Sequence, residues 1–307
     1  MIEEDRMPES DVVSTRKPTL VSVIIPVFNG MPLLDIQLEG LAAQDYAGPV
    51  EVIISDNGST DGLVEHLEHH PLREQLRLRR VDSSDQPGAP HARNIGAQNA
   101  EGDFLAFTDQ DDRVHPTWLS ALVEAAAEFD AVGGPIETTS LNSPEVARWR
   151  PSPPPTERFD SHYMFWAHGN NISMWRTTFD KVGGFDEAMR SGDDLDISWS
   201  IQEAGMTLGH APRAMVAYRL RLTLREALRQ AIAYGRTQVD VYVKHAPHGC
   251  PRYPLRATMT TLAVALLCNP SFVFVRRWVP TGLWALHTGL LLGRIAGCVH
   301  HRTLAYL

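Results

Sequence analysis

Short apolar runs alternate with polar stretches through the first half of the chain. Four runs have the length and composition of buried strands: residues 20–30, 50–55, 76–81 and 104–107. Three intervening segments have a helical pattern: residues 32–44, 63–69 and 90–101. Because strands that alternate with helices usually pair in parallel, the pattern predicts an α/β fold with a mostly parallel sheet and helices on both faces.

The middle of the chain continues this pattern less regularly. We predict a helix over 116–128, a strand over 131–137, a proline-rich crossing loop over 141–160, a turn at 183–187 and a helix that opens at Gly192 and ends near Gly205. The acids at 193–196 match the positive end of that last helix's dipole, whatever other role they have.

The predicted strand at 104–107 is followed at once by carboxylates, Asp109, Asp111 and Asp112. Because burying an unpaired charge is very costly, these acids should lie where the strand leaves the core, at the edge where open α/β sheets bind ligands. Asp109 and Asp111 are two residues apart and would face the same side of an extended chain, so together they could hold a divalent cation. A solvated acidic turn is the alternative, and these residues alone do not decide.

From residue 213 to the end, the chain becomes basic and then apolar. This part has 13 basic and two acidic residues, against 28 and 37 in the whole chain, so the two parts should have different surroundings. Residues 222–242 predict a long basic helix, and apolar stretches cover 259–275 and 279–293. Each stretch is shorter than the roughly 20 residues of a spanning helix, which favours contact with a membrane surface. A buried helical hairpin, at a dimer interface for example, is the alternative.

The remaining composition indicates an ordinary globular chain. Of 307 residues, 43% are hydrophobic and 21% are charged, and the three cysteines lack metal-ligand spacing, which indicates a reduced, intracellular setting. We expect a disordered polar leader over 1–17, an α/β domain over 18–215 and a basic helical region over 216–307. The leader has no signal-peptide pattern, and no motif indicates a nucleic-acid partner.

Over about residues 18–215 the chain resembles the family-2 glycosyltransferases, which have the GT-A fold. The resemblance depends on six short motifs in order, at residues 22–29, 56–62, 92–96, 109–111, 183–187 and 193–196. Each motif is weak alone, but the ordered set is specific. It implies an enzyme that takes a sugar from a nucleotide-sugar donor and inverts the anomeric centre.

The resemblance also implies which residues bind the nucleotide. The loop after the first strand, with Pro26, Phe28 and Asn29, would lie under it. Asp56, with Asn57 beside it, would accept a hydrogen bond from the imide N–H of a uracil or thymine. The alternative for Asp56 is an Asx turn before the following glycine, a common use of aspartate.

By the same resemblance, Arg93 would donate to the nucleotide or diphosphate. Asp109 would contact the ribose or the metal, and Asp111 would bind the Mg²⁺ or Mn²⁺ that bridges the diphosphate, with Asp112 supporting them. An arginine on a helix surface is the alternative for Arg93.

Inversion by one displacement needs a base for the acceptor hydroxyl, and the family's acidic pair falls on Asp193 and Asp194. We predict Asp194 as the base. Many relatives have Glu-Asp here, and the shorter Asp-Asp of this chain leaves open which acid reaches the acceptor. Helix capping by Asp193, with Asp196 behind it, is the alternative for two of these acids.

Two further features bear on the site. Asn170 matches the segment that lines the donor sugar, although a polar strand end would also explain it. Many relatives have a histidine after their late strand, whereas residues 211–222 here contain Tyr218, Arg219 and Arg221 but no histidine. The metal site is then less complete, and the arginines would carry part of the phosphate charge.

These features predict an inverting glycosyltransferase that uses a UDP- or dTDP-sugar and a hydroxyl acceptor, in the synthesis of a cell-surface polysaccharide or glycolipid. We expect it in the cytoplasm, at the inner face of the cell membrane, with a saccharide or lipid-linked acceptor. The alternative function is a catalytically silent nucleotide-sugar-binding subunit of a membrane assembly complex. A homodimer formed through the C-terminal region is a further hypothesis.

Overall fold

The computed structural model describes residues 16–189, 191–272 and 279–304, and the expected leader lies outside these ranges except for residues 16 and 17. The strands are β1 (Val21–Val27), β2 (Val50–Asp56), β3 (Leu78–Asp82), β4 (Phe104–Phe107), β5 (Arg113–Val114), β6 (Ala131–Gly133), β7 (Ile136–Glu137), β8 (Phe159–Asp160), β9 (Phe165–Trp166), β10 (Ile172–Trp175), β11 (Leu208–His210) and β12 (Val216–Ala217). The helices are α1 (Leu34–Ala42), α2 (Leu63–Glu68), α3 (Ala89–Asn99), α4 (Trp118–Ala125), α5 (Pro144–Ala147), α6 (Arg176–Val182), α7 (Asp193–Glu203), α8 (Leu224–His245), α9 (Leu255–Leu267) and α10 (Thr281–His301).

A seven-stranded sheet in the order β11-β6-β10-β4-β1-β2-β3 forms the centre of the fold, with β4 as its middle strand. Its strands are parallel except for β10, which pairs antiparallel with β4 and β6. All residues of β1 and β4 are buried, because helices cover both faces of the sheet. The predicted α/β fold class is therefore confirmed.

The prediction of one strand over 131–137 is wrong. This stretch forms two strands in different sheets, β6 in the large sheet and β7 in a three-stranded sheet of order β5-β12-β7. Gly134 and Pro135 separate them, and the Pro135 carbonyl accepts a hydrogen bond from Val216 N–H. Several short strands were missed altogether, because two to four residues hold too little pattern to distinguish a strand from a loop.

Helices α8 and α10 pack closely along their lengths through glycines. A Cβ added at Gly293 would lie 2.1 Å from the Ile232 carbonyl oxygen, and one at Gly235 would lie 2.2 Å from that of Leu290. These glycines therefore allow the two backbones to approach more closely than any other residue would permit.

Helix α10 continues beyond the predicted apolar limit at residue 293 to His301. Among the described residues it is the one helix long and apolar enough to cross a membrane, with a mean hydropathy of 1.3 over 18 residues. The expectation that this segment is too short to span is wrong. Of these 18 residues, 39% are buried inside the protein, and the core helix of a soluble protein can have the same length and composition. The length of α10 alone is therefore weak evidence for a membrane span.

The basic C-terminal part binds the acidic α/β part directly. Lys244 at the end of α8 donates to Asp186 and Asp196, at 2.7 and 3.0 Å between Nζ and a carboxylate oxygen. The neighbouring His245 lies 2.9 Å from both Asp196 and Glu203 on α7. Part of the charge asymmetry of the sequence is therefore neutralised within the molecule.

Candidate active site

The carboxyl ends of β1, β2 and β4 meet at one edge of the sheet, because β1 pairs in parallel with both neighbours. Gln110, between the two predicted metal ligands, accepts a hydrogen bond from Phe28 N–H at 2.9 Å and donates to Phe28 O at 3.2 Å. The Phe28 side chain is 58% exposed, and Pro26 is buried inside β1. The loop after β1 is thus fixed beside the acidic loop after β4.

Arg93 on α3 connects carboxylates that are far apart in sequence. Its Nη2 lies 2.7 Å from Asp109 Oδ1, and its Nη1 lies 2.6 Å from Asp193 Oδ2. Burial alone would lower the pKa of Arg93, but the two carboxylates raise it overall, so the guanidinium stays charged. Arg93 is 5% exposed, which excludes the alternative of a surface helix arginine.

Asp111 and Asp112 have different environments. Asp111 is partly exposed, and its nearest cationic side chain is Arg221, with Nη1 at 3.8 Å from Oδ2. Asp112 is fully buried and accepts hydrogen bonds from Asn170 Nδ2 at 2.5 Å and from Arg219 N–H at 2.9 Å. Asp112 therefore stabilises the acidic loop after β4. The side chain of Asn170 binds the Asp112 carboxylate.

Asp193 and Asp194 occupy the first turn of α7. Asp193 pairs with Arg93, which is a different role from the capping alternative. Asp194 accepts hydrogen bonds from the N–H groups of Gly169 and Leu195, at 3.2 and 2.8 Å. Burial and the charge of Asp193 raise the pKa of Asp194 to about 6, against the effect of these two hydrogen bonds. A carboxylate with such a pKa can accept a proton near neutral pH.

At the end of β2, Asp56 is 1% exposed and already has partners. Ser59 N–H donates to Oδ1 at 2.8 Å, and Arg80 Nε donates to Oδ2 at 2.8 Å. The bond from Ser59 reaches three residues along the chain, whereas an Asx turn reaches two, so Asp56 holds its own loop by a different local bond. The Asn57 amide donates to the carbonyls of Ser83 and Gln86, so its side chain holds the loop before α3.

The loop after β1 is also held by hydrogen bonds to its neighbour, the loop after β2. The Asn29 side chain accepts a hydrogen bond from Thr60 N–H at 2.8 Å. The loops after β1 and β2 are thus tied together at the edge of the sheet where the acids of β4 emerge.

The residues present fit a divalent cation. Arg93 occupies Oδ1 of Asp109, and neither Asp109 nor Asp111 is fully buried, at 32% and 24% side-chain exposure. Burial, followed by the charge of Asp109, raises the pKa of Asp111. A hard cation with oxygen ligands would offset both the burial of the Asp111 carboxylate and the charge of Asp109 beside it.

Sequence reasoning missed the grouping of side chains around Arg150, which lies close enough to the proposed base Asp194 to interact with its charge. Arg150 has its guanidinium carbon 5.6 Å from the ring centre of Tyr218 and 6.0 Å from that of Tyr234. His168 is next to Gly169, and burial followed by the charge of Arg150 lowers its pKa well below the usual value. These residues come from four separate segments, so no local spacing could have indicated them.

Comparison with known proteins supports the family resemblance. The profile of Glycosyl transferase family 2 matches residues 22–192, and that of Glycosyl transferase family group 2 matches residues 156–296. A pre-mycofactocin glycosyltransferase from Mycobacterium tuberculosis is 28% identical over 261 residues, which cover 75% of this chain and 49% of that protein. The chain thus spans about half the length of that relative. The succinoglycan biosynthesis protein ExoA of Rhizobium meliloti is 24% identical over 275 residues, covering 86% and 82% of the two chains.

Solved structures share the fold. The mannosyltransferase PcManGT from Pyrobaculum calidifontis, in complex with GDP-Man and Mn²⁺, has a TM-score of 0.56 at 21% identity, covering 92% of this chain and 88% of that one. Residues 1–349 of TarS from S. aureus, in complex with UDP-GlcNAc, have a TM-score of 0.51 at 15% identity, covering 92% of each chain. At these identities the likeness shows the fold alone, and that fold is GT-A.

Proposed function

Because the chain belongs to glycosyl transferase family 2, we propose that it is an inverting glycosyltransferase that uses a UDP- or dTDP-sugar and a hydroxyl acceptor. The observation that supports this most strongly is the double ion pair of Arg93. It brings Asp109, on the proposed metal side, and Asp193, on the proposed base side, to one guanidinium. This shared contact supports a reaction in which the two acids act on one bound donor and acceptor.

Asp109 and Asp111 would hold Mg²⁺ or Mn²⁺, and PcManGT, a relative in fold, contains Mn²⁺. When bound, the cation supplies Lewis-acid stabilisation of the departing diphosphate. Arg219 and Arg221 both contact Asp111, in the loop after β4, and would supply further positive charge there. Arg219 Nε donates to the Asp111 carbonyl at 2.9 Å.

In the transfer step the acceptor oxygen attacks the anomeric carbon and forms the new glycosidic bond. The bond between that carbon and the diphosphate oxygen breaks with its electron pair, and the nucleoside diphosphate leaves. Asp194 takes the proton of the acceptor hydroxyl, and its pKa of about 6 suits this role at neutral pH. Gly169 and Leu195 N–H groups fix the orientation of the carboxylate.

For the nucleotide, Asp56 remains the proposed reader of the base. Ser59 N–H on Oδ1 and two Arg80 nitrogens on Oδ2 hold the carboxylate rigid at the end of β2, and Oδ1 keeps one lone pair for the base. Phe28 is exposed in the loop after the neighbouring strand β1, and its ring would pack on the base. Because Asp accepts from an imide N–H, the proposed bases are uracil and thymine.

The proposed acceptor is a saccharide or a lipid-linked sugar at the inner face of the membrane. The support is the apolar surface of the last two helices, where Met259, Leu266, Leu267, Leu292 and Val299 are all exposed. The relative ExoA is named for succinoglycan biosynthesis, which is consistent with polysaccharide synthesis.

A thermal-shift panel tests the donor and the metal together. UDP, dTDP and GDP would be added at equal concentration, with and without Mn²⁺. Because a ligand that binds the folded state raises its stability by mass action, UDP or dTDP with Mn²⁺ should raise the melting temperature most, and Asp111→Asn should remove the Mn²⁺ dependence.

Glu65→Gln, an exposed acid on α2, serves as a control for the loss of an acid outside the proposed site. The largest shift with GDP would overturn the proposed base, and a shift independent of Mn²⁺ in the wild type would overturn the metal site. No shift with any nucleotide would overturn the proposed function itself.

A further inference from the structure

A group of metal-binding side chains lies between α1 and α2, outside the proposed active site. Asp35 is in the first turn of α1, His66 is on α2, and His70 follows the end of α2 by two residues. Each side chain offers one ligand atom, and the three atoms lie within 4.8 Å of one another. Two histidines with three residues between them have a spacing that zinc sites use.

The distances within this group fit a small divalent cation. Asp35 Oδ1 lies 2.7 Å from His66 Nε2 and 3.4 Å from His70 Nε2. Ligand atoms bound tetrahedrally at about 2.0–2.1 Å from zinc are roughly 3.3 Å apart, so His70 already has this separation from Asp35 and His66 would move outward by about 0.6 Å.

The exposure of the three side chains leaves the site open on one side. The His70 side chain is 5% exposed, whereas those of His66 and Asp35 are 29% and 38% exposed. One ligand is thus fixed by the core, and a cation could enter from solvent. The open side would leave a fourth position for water, as in zinc sites with three protein ligands.

Both imidazoles bond to Asp35 in this arrangement, and a cation would replace those bonds. Leu72 N–H donates to His70 Nδ1 at 3.2 Å, so the ring hydrogen of neutral His70 lies on Nε2 and points toward Asp35. On cation binding this hydrogen moves to Nδ1, and Leu72 N–H loses its partner. Because binding has this cost, we expect a weaker affinity than that of a closed structural zinc site.

From this geometry we propose that Asp35, His66 and His70 bind a divalent transition-metal ion, with Zn²⁺ as the preferred one. Imidazole nitrogens suit Zn²⁺, whereas carboxylates and water suit Mg²⁺ and Mn²⁺, so this site would select a different ion from the one proposed at Asp109 and Asp111. The inference goes beyond the proposed function and does not depend on it.

An ion at this position would stabilise the edge of the sheet that carries the proposed nucleotide site. Helices α1 and α2 follow β1 and β2, which are parallel neighbours. The loops that lead into the two helices already contact each other, since Met31 N–H donates to Asp61 at 2.9 Å. An ion that joins α1 to α2 would add a second connection behind this contact, so its expected role is structural.

Zn²⁺ binding to the full-length, chelator-treated protein tests the site. Calorimetry should show a Zn²⁺ site that binds Mn²⁺ about tenfold or more weakly. His66→Gln and Asp35→Asn should each weaken Zn²⁺ binding at that site at least about tenfold, because even the loss of a side chain that only supports a ligand costs about 10–100-fold. Zn²⁺ should raise the melting temperature of the wild type and should do so much less in both variants.

His69→Gln is the matched control. His69 lies between the two proposed ligands in sequence but is exposed, so this variant should keep Zn²⁺ binding. Asp111→Asn should also keep it, and His66→Gln should keep the Mn²⁺-dependent effect of the nucleotide. The two sites are therefore tested separately, and a failure of one leaves the other standing.

Four results would overturn the inference. The wild type could fail to bind Zn²⁺, or both His66→Gln and Asp35→Asn could bind it as the wild type does, which would place the ion elsewhere. Loss of Zn²⁺ binding in Asp111→Asn would place the ion in the proposed active site. Equal affinities for Zn²⁺ and Mn²⁺ would exclude selection by imidazole ligands.

Discussion

At the scale of single residues, the buried Arg93 has a clear structural role, because it pairs with two acids. Its two ion pairs join α3 to the loop after β4 and to the start of α7, so the position of each acid depends on the other. Removing one member of a buried charge pair typically costs about 3–5 kcal/mol, because it leaves the partner uncompensated. Arg93 thus sets both the geometry and the charge of the candidate site.

Asp194 gives a test of the proposed chemistry. Asp194→Asn removes the base while keeping the side-chain shape, so kcat should fall about 10²–10⁴-fold while nucleotide binding is kept. In the wild type the rate should fall as the pH drops below about 6, because the carboxylate becomes protonated and can no longer accept the hydroxyl proton. Steady-state kinetics from pH 5 to 8 would measure both effects.

Asp180→Asn, an exposed acid on α6, is the matched control and should keep full activity. Unchanged turnover in Asp194→Asn would remove Asp194 as the base. A protein that binds nucleotide but has no turnover in the wild type would instead indicate the binding-subunit alternative.

At the scale of elements, α7 contacts both the proposed active site and helix α8. Its first turn faces the cleft with Asp193 and Asp194, while Asp196 and Glu203, seven residues apart, face α8. Gly192 starts the helix with φ +73°, and a Cβ there would lie 2.2 Å from Thr237 Cγ2 of α8. The packing of α8 therefore supports the helix that carries the proposed base.

His245 makes this packing dependent on pH. Burial alone would lower its pKa, but the hydrogen bonds to Asp196 and Glu203 raise it overall, with Lys244 as the other charge at this contact. A raised folded-state pKa gives stability that is complete below the usual value of about 6.5 and is lost as the pH rises through the folded value.

Accordingly, His245→Gln should lower the free energy of unfolding by about 1.5–3 kcal/mol at pH 6 and by less at pH 9. Urea unfolding at the two pH values would measure the difference. His69→Gln, an exposed histidine after α2, should show little effect at either pH. A loss that is the same at both pH values would mean that the contact works through packing alone.

At the scale of the whole molecule, the acidic and basic parts bind each other along α7 and α8, while α9 and α10 turn apolar residues outward. Leu267 on α9 is 70% exposed and Val299 on α10 is 72% exposed. Arginines near an apolar surface favour the headgroups of anionic lipids. The proposed membrane contact therefore belongs to the last two helices.

Sedimentation with lipid vesicles tests this contact. The full-length protein should sediment several-fold more with vesicles that contain phosphatidylglycerol than with neutral ones, and Leu267→Asp should reduce this binding because it places a charge on the apolar surface. Val64→Asp, on the exposed side of α2, should have no effect. A protein that stays in the supernatant with both kinds of vesicle contradicts the membrane proposal.

The sequence itself determined the fold class and the order of the motifs. β1, β2 and β4 are buried on both faces, so their apolar runs are visible in any one stretch of chain, and the carboxylates that end β4 mark the edge of the sheet. The profile match over residues 22–192 bears out the family resemblance read from those motifs.

Only the tertiary structure decided which of these side chains meet. The Arg93–Asp193 pair spans 100 positions and the Arg219–Asp112 contact spans 107, so no local pattern encodes either. The same holds for Arg150, which lies against Tyr234 only because α8 packs on the α/β domain. Periodicity records which face of an element is buried, whereas the partners of a charged side chain depend on how distant elements pack together.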